Sequence, residues 1–312
     1  MLRKSLLYLS ERQGLKDWLL RVPAARATAS RFVAGEDLDT AIETTSALEA
    51  EGFRVTLDLL GESVGDAHEA ERAAETYVSS IERRAEKGSN ATTSLKLTQL
   101  GLDISTDLCV ANLAGVVEAA ARADSFVRID MEGSEHTQAT LDVFRRVLAA
   151  HRNVGIVIQS YLHRSERDVE QLCDEGAHVR LCKGAYQEPA SIAYQRREDI
   201  DASFRHLTRM LLESAGEREA VGGVPPVAIA THDDEMIEAA RGFAESRAVP
   251  IEAFEFQMLY GVRRDVQKQL LDGGYNVRIY VPYGTEWYPY FMRRMAERPA
   301  NLLFVTRAVL GR

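Results

Sequence analysis

Asn276-Val-Arg-Ile-Tyr-Val-Pro-Tyr283 alternates two kinds of side chain. Val277, Ile279 and Val281 share one parity, and Arg278 and Tyr280 share the other. Successive residues of a strand face opposite sides, so one side of this run is apolar and the other carries a guanidinium and a phenol. Seven earlier runs read as strands as well: Arg54–Leu60, Ser94–Leu100, Phe126–Glu132, Val154–Ser160, His178–Ala185, Val227–His232 and Ile251–Leu259. Most of them repeat the two-sided texture. Helical patterns separate them, for example 67–87 and 140–151, and Ser165-Glu-Arg-Asp168 has the spacing of a capping box. Strands alternating with helices imply βαβ crossovers and parallel pairing. Eight units predict a closed (β/α)8 barrel of the α/β class. A doubly wound sheet is the alternative, but no GxGxxG phosphate loop is present.

In such a barrel the apolar parity packs under the helices and the polar parity lines the lumen. That polar set includes Arg54, Asp58, Lys96, Arg128, Asp130, Gln159, Arg180, Glu255, Gln257, Arg278 and Tyr280. Charges enclosed this way must pair or bind something. Many fall late in their strands, where this fold carries its active sites, so a functional role is expected rather than a purely structural ionic core.

Ahead of the first strand, residues 1–52 read as an N-terminal helical segment, leaving 53–312 for the barrel. Leu6, Leu7, Leu15, Trp18, Leu19 and Leu20 supply an apolar stripe, and a second helix is expected from Asp37 to Glu51 with Gly52 as its stop. The stretch from Gly216 to Pro226 reads as a flexible surface loop.

The 312 residues carry a net charge of −9, which argues against non-specific nucleic-acid binding. Cys109, Cys173 and Cys182 form no CxxC pair, and the seven histidines lack metal-ligand spacing, so no metal site is expected. No apolar run approaches a membrane span. The chain is expected to be cytoplasmic, with at most weak peripheral contact at the inner face of a membrane through its first helix.

Four places could carry chemistry. After the last strand, Tyr290, Arg293, Arg294 and Glu297 are spaced to share one helix face, and paired guanidiniums suit a carboxylate. Val179-Arg-Leu-Cys-Lys-Gly-Ala-Tyr186 brings two cations and a glycine to a strand end. Thr231-His232 closes the sixth strand. Lys96 and Asp130 close the second and third, close enough to pair; Lys96 could instead be a Schiff-base lysine of an aldolase-like enzyme. A catalytically silent amino-acid sensor is a third reading.

Val179–Tyr186, Glu255-Phe-Gln-Met-Leu-Tyr-Gly261 and Arg278–Asn301, in that order and on the expected strands, make the chain resemble the proline dehydrogenase family, most closely its single-domain bacterial members. The resemblance implies FAD held noncovalently at the barrel mouth, and oxidation of L-proline to 1-pyrroline-5-carboxylate. It implies Arg180 near flavin N5 and Asp130 as the acidic site residue. Met131, Gln159, Lys183, Gly184, Ala185, Thr231 and His232 become cofactor contacts. Lys96, Arg293 and Arg294 become a clamp on the substrate carboxylate. Leu259, Tyr280 and Tyr290 become walls around the proline ring, with Glu297 as an acidic partner on the last helix. A quinone is the implied electron acceptor. The long bifunctional relatives add an aldehyde dehydrogenase domain for which this chain has no room, so a separate pyrroline-5-carboxylate dehydrogenase is expected to take the product.

Overall fold

The computed structural model describes residues 31–61, 63–216 and 218–297; of residues 293–297 it describes only the helix they extend. The apolar stripe of residues 6–20 therefore lies outside the described residues. Helix α1 (Leu38–Ala50) leads into the barrel, capped by the Asp37 side chain on the Thr40 N–H. Then follow β1 (Arg54–Leu59), α2 (Ala67–Glu86), β2 (Thr92–Leu95), α3 (Thr106–Arg122), β3 (Val127–Ile129), α4 (Ser134–Leu148), β4 (Val154–Gln159) and α5 (Ser165–Asp174). The second half comprises β5 (His178–Cys182), α6 (Arg197–Ala215), β6 (Val227–Ala230), α7 (Asp234–Ser246), β7 (Phe254–Leu259), α8 (Arg264–Asp272), β8 (Val277–Tyr283) and α9 (Trp287–Glu297). The eight strands close into one parallel barrel in chain order. Closure runs through β1 and β8, with Arg54 opposite Arg278 and Asp58 opposite Pro282.

The two-sided strands explain the closure. Val55, Leu57, Leu95, Val127, Ile129, Val179, Leu181, Phe256, Val277 and Ile279 are buried in one apolar core with Leu113, Phe144, Phe204 and Leu211 from the helices. The opposite parity fills the lumen, and its charges divide by height. Near the strand starts, Arg278 Nε donates to Glu255 Oε1 at 2.8 Å, and Gln257 Nε2 donates to the same oxygen at 2.6 Å. Arg128 Nη1 donates to the His178 carbonyl at 2.6 Å. These form the structural ionic floor of the barrel. Only the charges above them reach the mouth.

Several boundaries differ from the sequence reading. Residues 31–36 are not helical: the Ala34 N–H donates to the Pro282 carbonyl and the Gly284 N–H to the Gly35 carbonyl, both at 2.9 Å, so this segment lies along the end of β8. The second strand leaves the sheet after Leu95. Leu97–Leu100 wind into a 3-10 turn ended by Gly101 at φ +91°, and the shared parity of Leu95 and Leu97 conceals the change. Ile251–Ala253 also form a 3-10 turn rather than the start of β7. Helix α4 begins at Ser134, six residues before the expected start. Ser165 does not cap α5; its hydroxyl donates to the Gln159 carbonyl at 2.6 Å, and Asp168 pairs with Arg164 instead of closing a capping box.

The described part of the Gly216–Pro226 stretch is tied down. Val221 and Val224 form an antiparallel bridge. Gly222 and Gly223, at φ +53° and +70°, turn the chain tightly under the barrel. There the Gly223 carbonyl accepts from Arg54 Nη1 and Arg278 Nη2, each at 3.0 Å.

Candidate active site

The C-terminal ends of the strands gather two ion pairs. Asp58 on β1 receives Lys96 Nζ at 3.2 Å. Asp130, just beyond β3, receives Arg180 Nη1 from β5 at 2.7 Å. Sequence reasoning offered Lys96 and Asp130 to one another; the structure gives Lys96 to the neighbouring strand's Asp58 and leaves Asp130 to Arg180 and Tyr280. The Tyr280 hydroxyl, from β8, donates to Asp130 Oδ2 at 2.6 Å. Its ring lies 5.3 Å from the Arg180 guanidinium carbon, a cation–π distance. Arg180 Nη2 donates to Ser94 Oγ at 2.9 Å, and Ser94 Oγ lies 3.1 Å from Thr56 Oγ1.

Burial sets the electrostatics. It pushes the Asp130 carboxyl above its usual range, against the pull of Arg180 and Lys96. It drives the Tyr280 phenol well above its ordinary value, and the Asp130 and Asp58 carboxylates push the same way. Tyr280 is therefore a donor at neutral pH, and Asp130 is the acceptor between it and Arg180. Burial raises the Cys182 thiol to about 12, so the cysteine at the end of β5 is no nucleophile.

A second group lies around the ends of β4, β5 and β6. Gly184 follows Lys183 at φ +119°, a backbone state that side chains resist. The turn aims the Ala185 N–H at Gln159 Oε1, 3.3 Å away, while Gln159 Nε2 donates to the Glu132 carbonyl at 2.8 Å. Lys183 Nζ is held between Asp201 and Asp233, the latter at 2.7 Å, and Arg197 reaches the same two carboxylates at 3.3 and 3.2 Å. Lys183, expected among the cofactor contacts, is thus already shared between two carboxylates. Thr231 Oγ1 accepts the Asp233 N–H at 3.1 Å. His232 Nε2 accepts the Leu259 N–H at 2.9 Å, so that nitrogen is unprotonated and joins β6 to β7. Met131 is buried beside Asp130, and Tyr290 is buried on α9. The side chains of Arg293, Arg294 and Glu297 lie outside the described residues.

Sequence reasoning counted Asp58 in the polar parity without assigning it a role in the site. It did not use Ser94, Asp201 or Asp233. Asp58 was the findable one: it sits late in β1, at the lumen parity that Arg180 takes in β5. No spacing signals Asp201 and Asp233, because they meet Lys183 only through folding.

Buried pairs of opposite charge, an aromatic wall and a glycine turn at one mouth suit a small zwitterion lying against a planar group. The comparisons agree with that class. The family model described as proline dehydrogenase matches residues 41–307. The chain is 39% identical to proline dehydrogenase 1 of Bacillus subtilis (strain 168), over 99% of each chain. It is 37% identical to the proline dehydrogenase of Deinococcus radiodurans, over 99% of this chain and 97% of that one. Among solved structures, proline utilization A from Bdellovibrio bacteriovorus inactivated by N-propargylglycine superposes with a TM-score of 0.80 at 26% identity. That match covers 88% of this chain and 33% of the other, so the chain spans about a third of that structure's length. No helix among the described residues is long and apolar enough to cross a membrane. A near full-length match to its relatives, on a barrel whose mouth carries the Asp130–Arg180–Tyr280 cluster, makes this chain a member of the proline dehydrogenase family.

Proposed function

We propose that the chain oxidises L-proline to 1-pyrroline-5-carboxylate with FAD bound at the barrel mouth, the first step of proline degradation. The observation that carries this reading is the Arg180–Asp130–Tyr280 cluster, placed beside the Asp58–Lys96 pair on the catalytic side of the barrel. The residues present fit a flavin. Arg180 Nε is buried with no hydrogen-bond partner among the described residues, leaving a cationic N–H for a ring nitrogen or carbonyl. Gly184 gives the close backbone approach a planar group needs, and Gln159 holds the turn from the other side. Met131, Ala185, Thr231 and His232 complete the proposed cofactor surface. Lys183 is proposed to shape that surface through Asp201 and Asp233 rather than by direct charge. Bound FAD would supply the two-electron acceptor for the hydride that leaves proline Cδ.

The chain's own residues do the positioning. Lys96, with Arg293 and Arg294 as the resemblance assigns them, would take the substrate carboxylate, and Glu297 would orient those arginines. Leu259, Tyr280 and Tyr290 would wall the ring. The substrate nitrogen must be uncharged for its lone pair to assist hydride departure, so its proton is lost before the redox step. Asp130 fixes Arg180 and takes the Tyr280 proton as a hydrogen bond, which keeps both donors in one orientation. The electrons would pass to a quinone, and a separate pyrroline-5-carboxylate dehydrogenase would consume the product. The test is proline turnover with a dye acceptor, read beside the visible spectrum under anaerobic conditions. Yellow protein bleached by proline is expected. A chain that stays colourless after FAD reconstitution, or is coloured but unbleached, would overturn the proposal.

A further inference from the structure

Outside the barrel, α4 and α5 leave an open cleft of about 450 Å³ lined by Gln138, Arg145, Arg164, Arg167, Asp168 and Gln171. Its acceptors are spent within the cleft. Asp168 Oδ1 and Oδ2 take Arg164 Nη2 and Nε at 3.0 and 2.6 Å. Gln138 Oε1 takes Arg164 Nη2 at 2.7 Å, and Gln171 Oε1 takes Arg145 Nη2 at 3.0 Å. Arg145 is further held by Glu175 Oε1 at 2.7 Å. The donors are not spent. Arg145 Nη1, Arg164 Nη1 and Gln171 Nε2 have no hydrogen-bond partner among the described residues. Exposed Arg167 makes no hydrogen bond or ion pair with them at all.

The cleft is thus rich in donors and poor in acceptors. Its lining carries three guanidiniums, Arg145, Arg164 and Arg167, and one carboxylate, Asp168, while Glu175 holds Arg145 from the edge and Asp142 accepts from Gln138 Nε2 at 2.8 Å. Two of the guanidiniums are held in place by a carboxylate and an amide each, so their remaining amino groups are oriented before any ligand arrives, while Arg167 supplies a movable arm. Oriented guanidinium forks match the oxygens of a phosphate in bidentate fashion, and prior orientation lowers the entropy lost on binding. The volume lies within the range of small-molecule sites. We propose that this cleft binds a phosphate group, as the free ion or as the ester of a small molecule. The site lies between the outer helices α4 and α5 and does not depend on the redox reading given above.

The experiment is calorimetric titration of the cofactor-loaded protein at constant ionic strength in chloride, with inorganic phosphate in one arm and ribose 5-phosphate in the other. Saturable binding in either arm is expected. Binding in the first arm alone identifies the free ion, and tighter binding in the second identifies an ester. Arg167→Leu removes an exposed side chain, so folding and turnover should be retained while affinity falls about tenfold or more. Absence of saturable binding in both arms, or undiminished affinity in Arg167→Leu, would overturn the proposal. If phosphate entered the mouth instead, Arg167→Leu would leave its affinity intact, and the outcome would count against the cleft.

Discussion

Arg180 spans the lumen from β5 to β3, with its Nη1 2.7 Å from Asp130 Oδ1, and the same guanidinium reaches Ser94 on β2 through Nη2 at 2.9 Å. With Tyr280 on the far oxygen of Asp130 and Thr56 beside Ser94, one connected set of polar atoms ties five of the eight strands. A network of this kind holds a donor in place only while each member keeps its partner. That property makes its members testable one at a time.

Asp130→Asn keeps the shape of the side chain and removes its charge. Arg180 then has no carboxylate within ion-pair distance among the described residues, although its side chain is only 6% exposed. A buried cation stripped of its partner destabilises by about 3 kcal/mol. Turnover should fall by roughly a hundredfold, since a donor aligned for the transition state is lost. Thermal unfolding and steady-state kinetics measure the two effects. Wild-type turnover in a folded Asp130→Asn protein would show that the pair is structural only.

Ser94→Ala removes the second tether of Arg180 and leaves the first. Both Ser94 and Thr56 are fully buried, so no solvent replaces the lost hydroxyl. The expected result is a kcat about tenfold lower with KM nearly unchanged, following the loss of one hydrogen bond to a charged group. A shift in the visible absorbance of the bound flavin should accompany it, because Arg180 is proposed to face that ring. Unchanged kcat and spectrum together would leave Ser94 with no part in positioning.

The sequence showed the barrel clearly because strand parity is local: each apolar residue two places from the next declares a buried face without reference to the rest of the chain. The site was half legible for the same reason. Asp130, Arg180 and Tyr280 stand at lumen parity, and so does Asp58. Which carboxylate takes which cation was not legible. Lys183 meets Asp201 and Asp233, 18 and 50 residues downstream, only once α6 and β6 have packed. The loop after α6 shows the same limit. Its glycines announce a turn, yet nothing local says that the Gly223 carbonyl will meet Arg54, 169 residues away.

His178 links the barrel floor to acid stability. Burial, with Arg128 beside it, lowers its pKa from 6.5 to about 3. An unfolded histidine takes its proton near 6.5, so below that pH the unfolded chain binds more protons than the folded one. The stability from keeping His178 neutral is therefore intact above pH 6.5 and is lost as pH falls toward 3, at up to about 1.4 kcal/mol per pH unit. Denaturant melts of the parent and of His178→Gln between pH 7 and 4 check this. The parent should lose stability more steeply. Parallel profiles would mean that another group governs the acid limb.

Gly184→Ala tests the turn proposed to meet the cofactor. At φ +119° an alanine is strained by about 1–3 kcal/mol. Its Cβ would also collide with the Tyr161 ring. That ring cannot shift freely: the Tyr161 N–H donates to the Lys183 carbonyl at 3.0 Å, and the ring is nearly buried. The turn must therefore open, and opening it breaks the alignment of the Ala185 N–H with Gln159 Oε1. Cofactor content should drop severalfold while the circular dichroism of the barrel persists. Gly176→Ala is the control. Gly176 also has a positive φ, +67°, but a Cβ there meets nothing within 4 Å. Its strain should lower stability slightly and leave cofactor content unchanged. The measurement is flavin absorbance per chain after gel filtration, for both variants prepared side by side. Equal retention in the two would separate Gly184 from the cofactor and reduce its role to backbone strain alone.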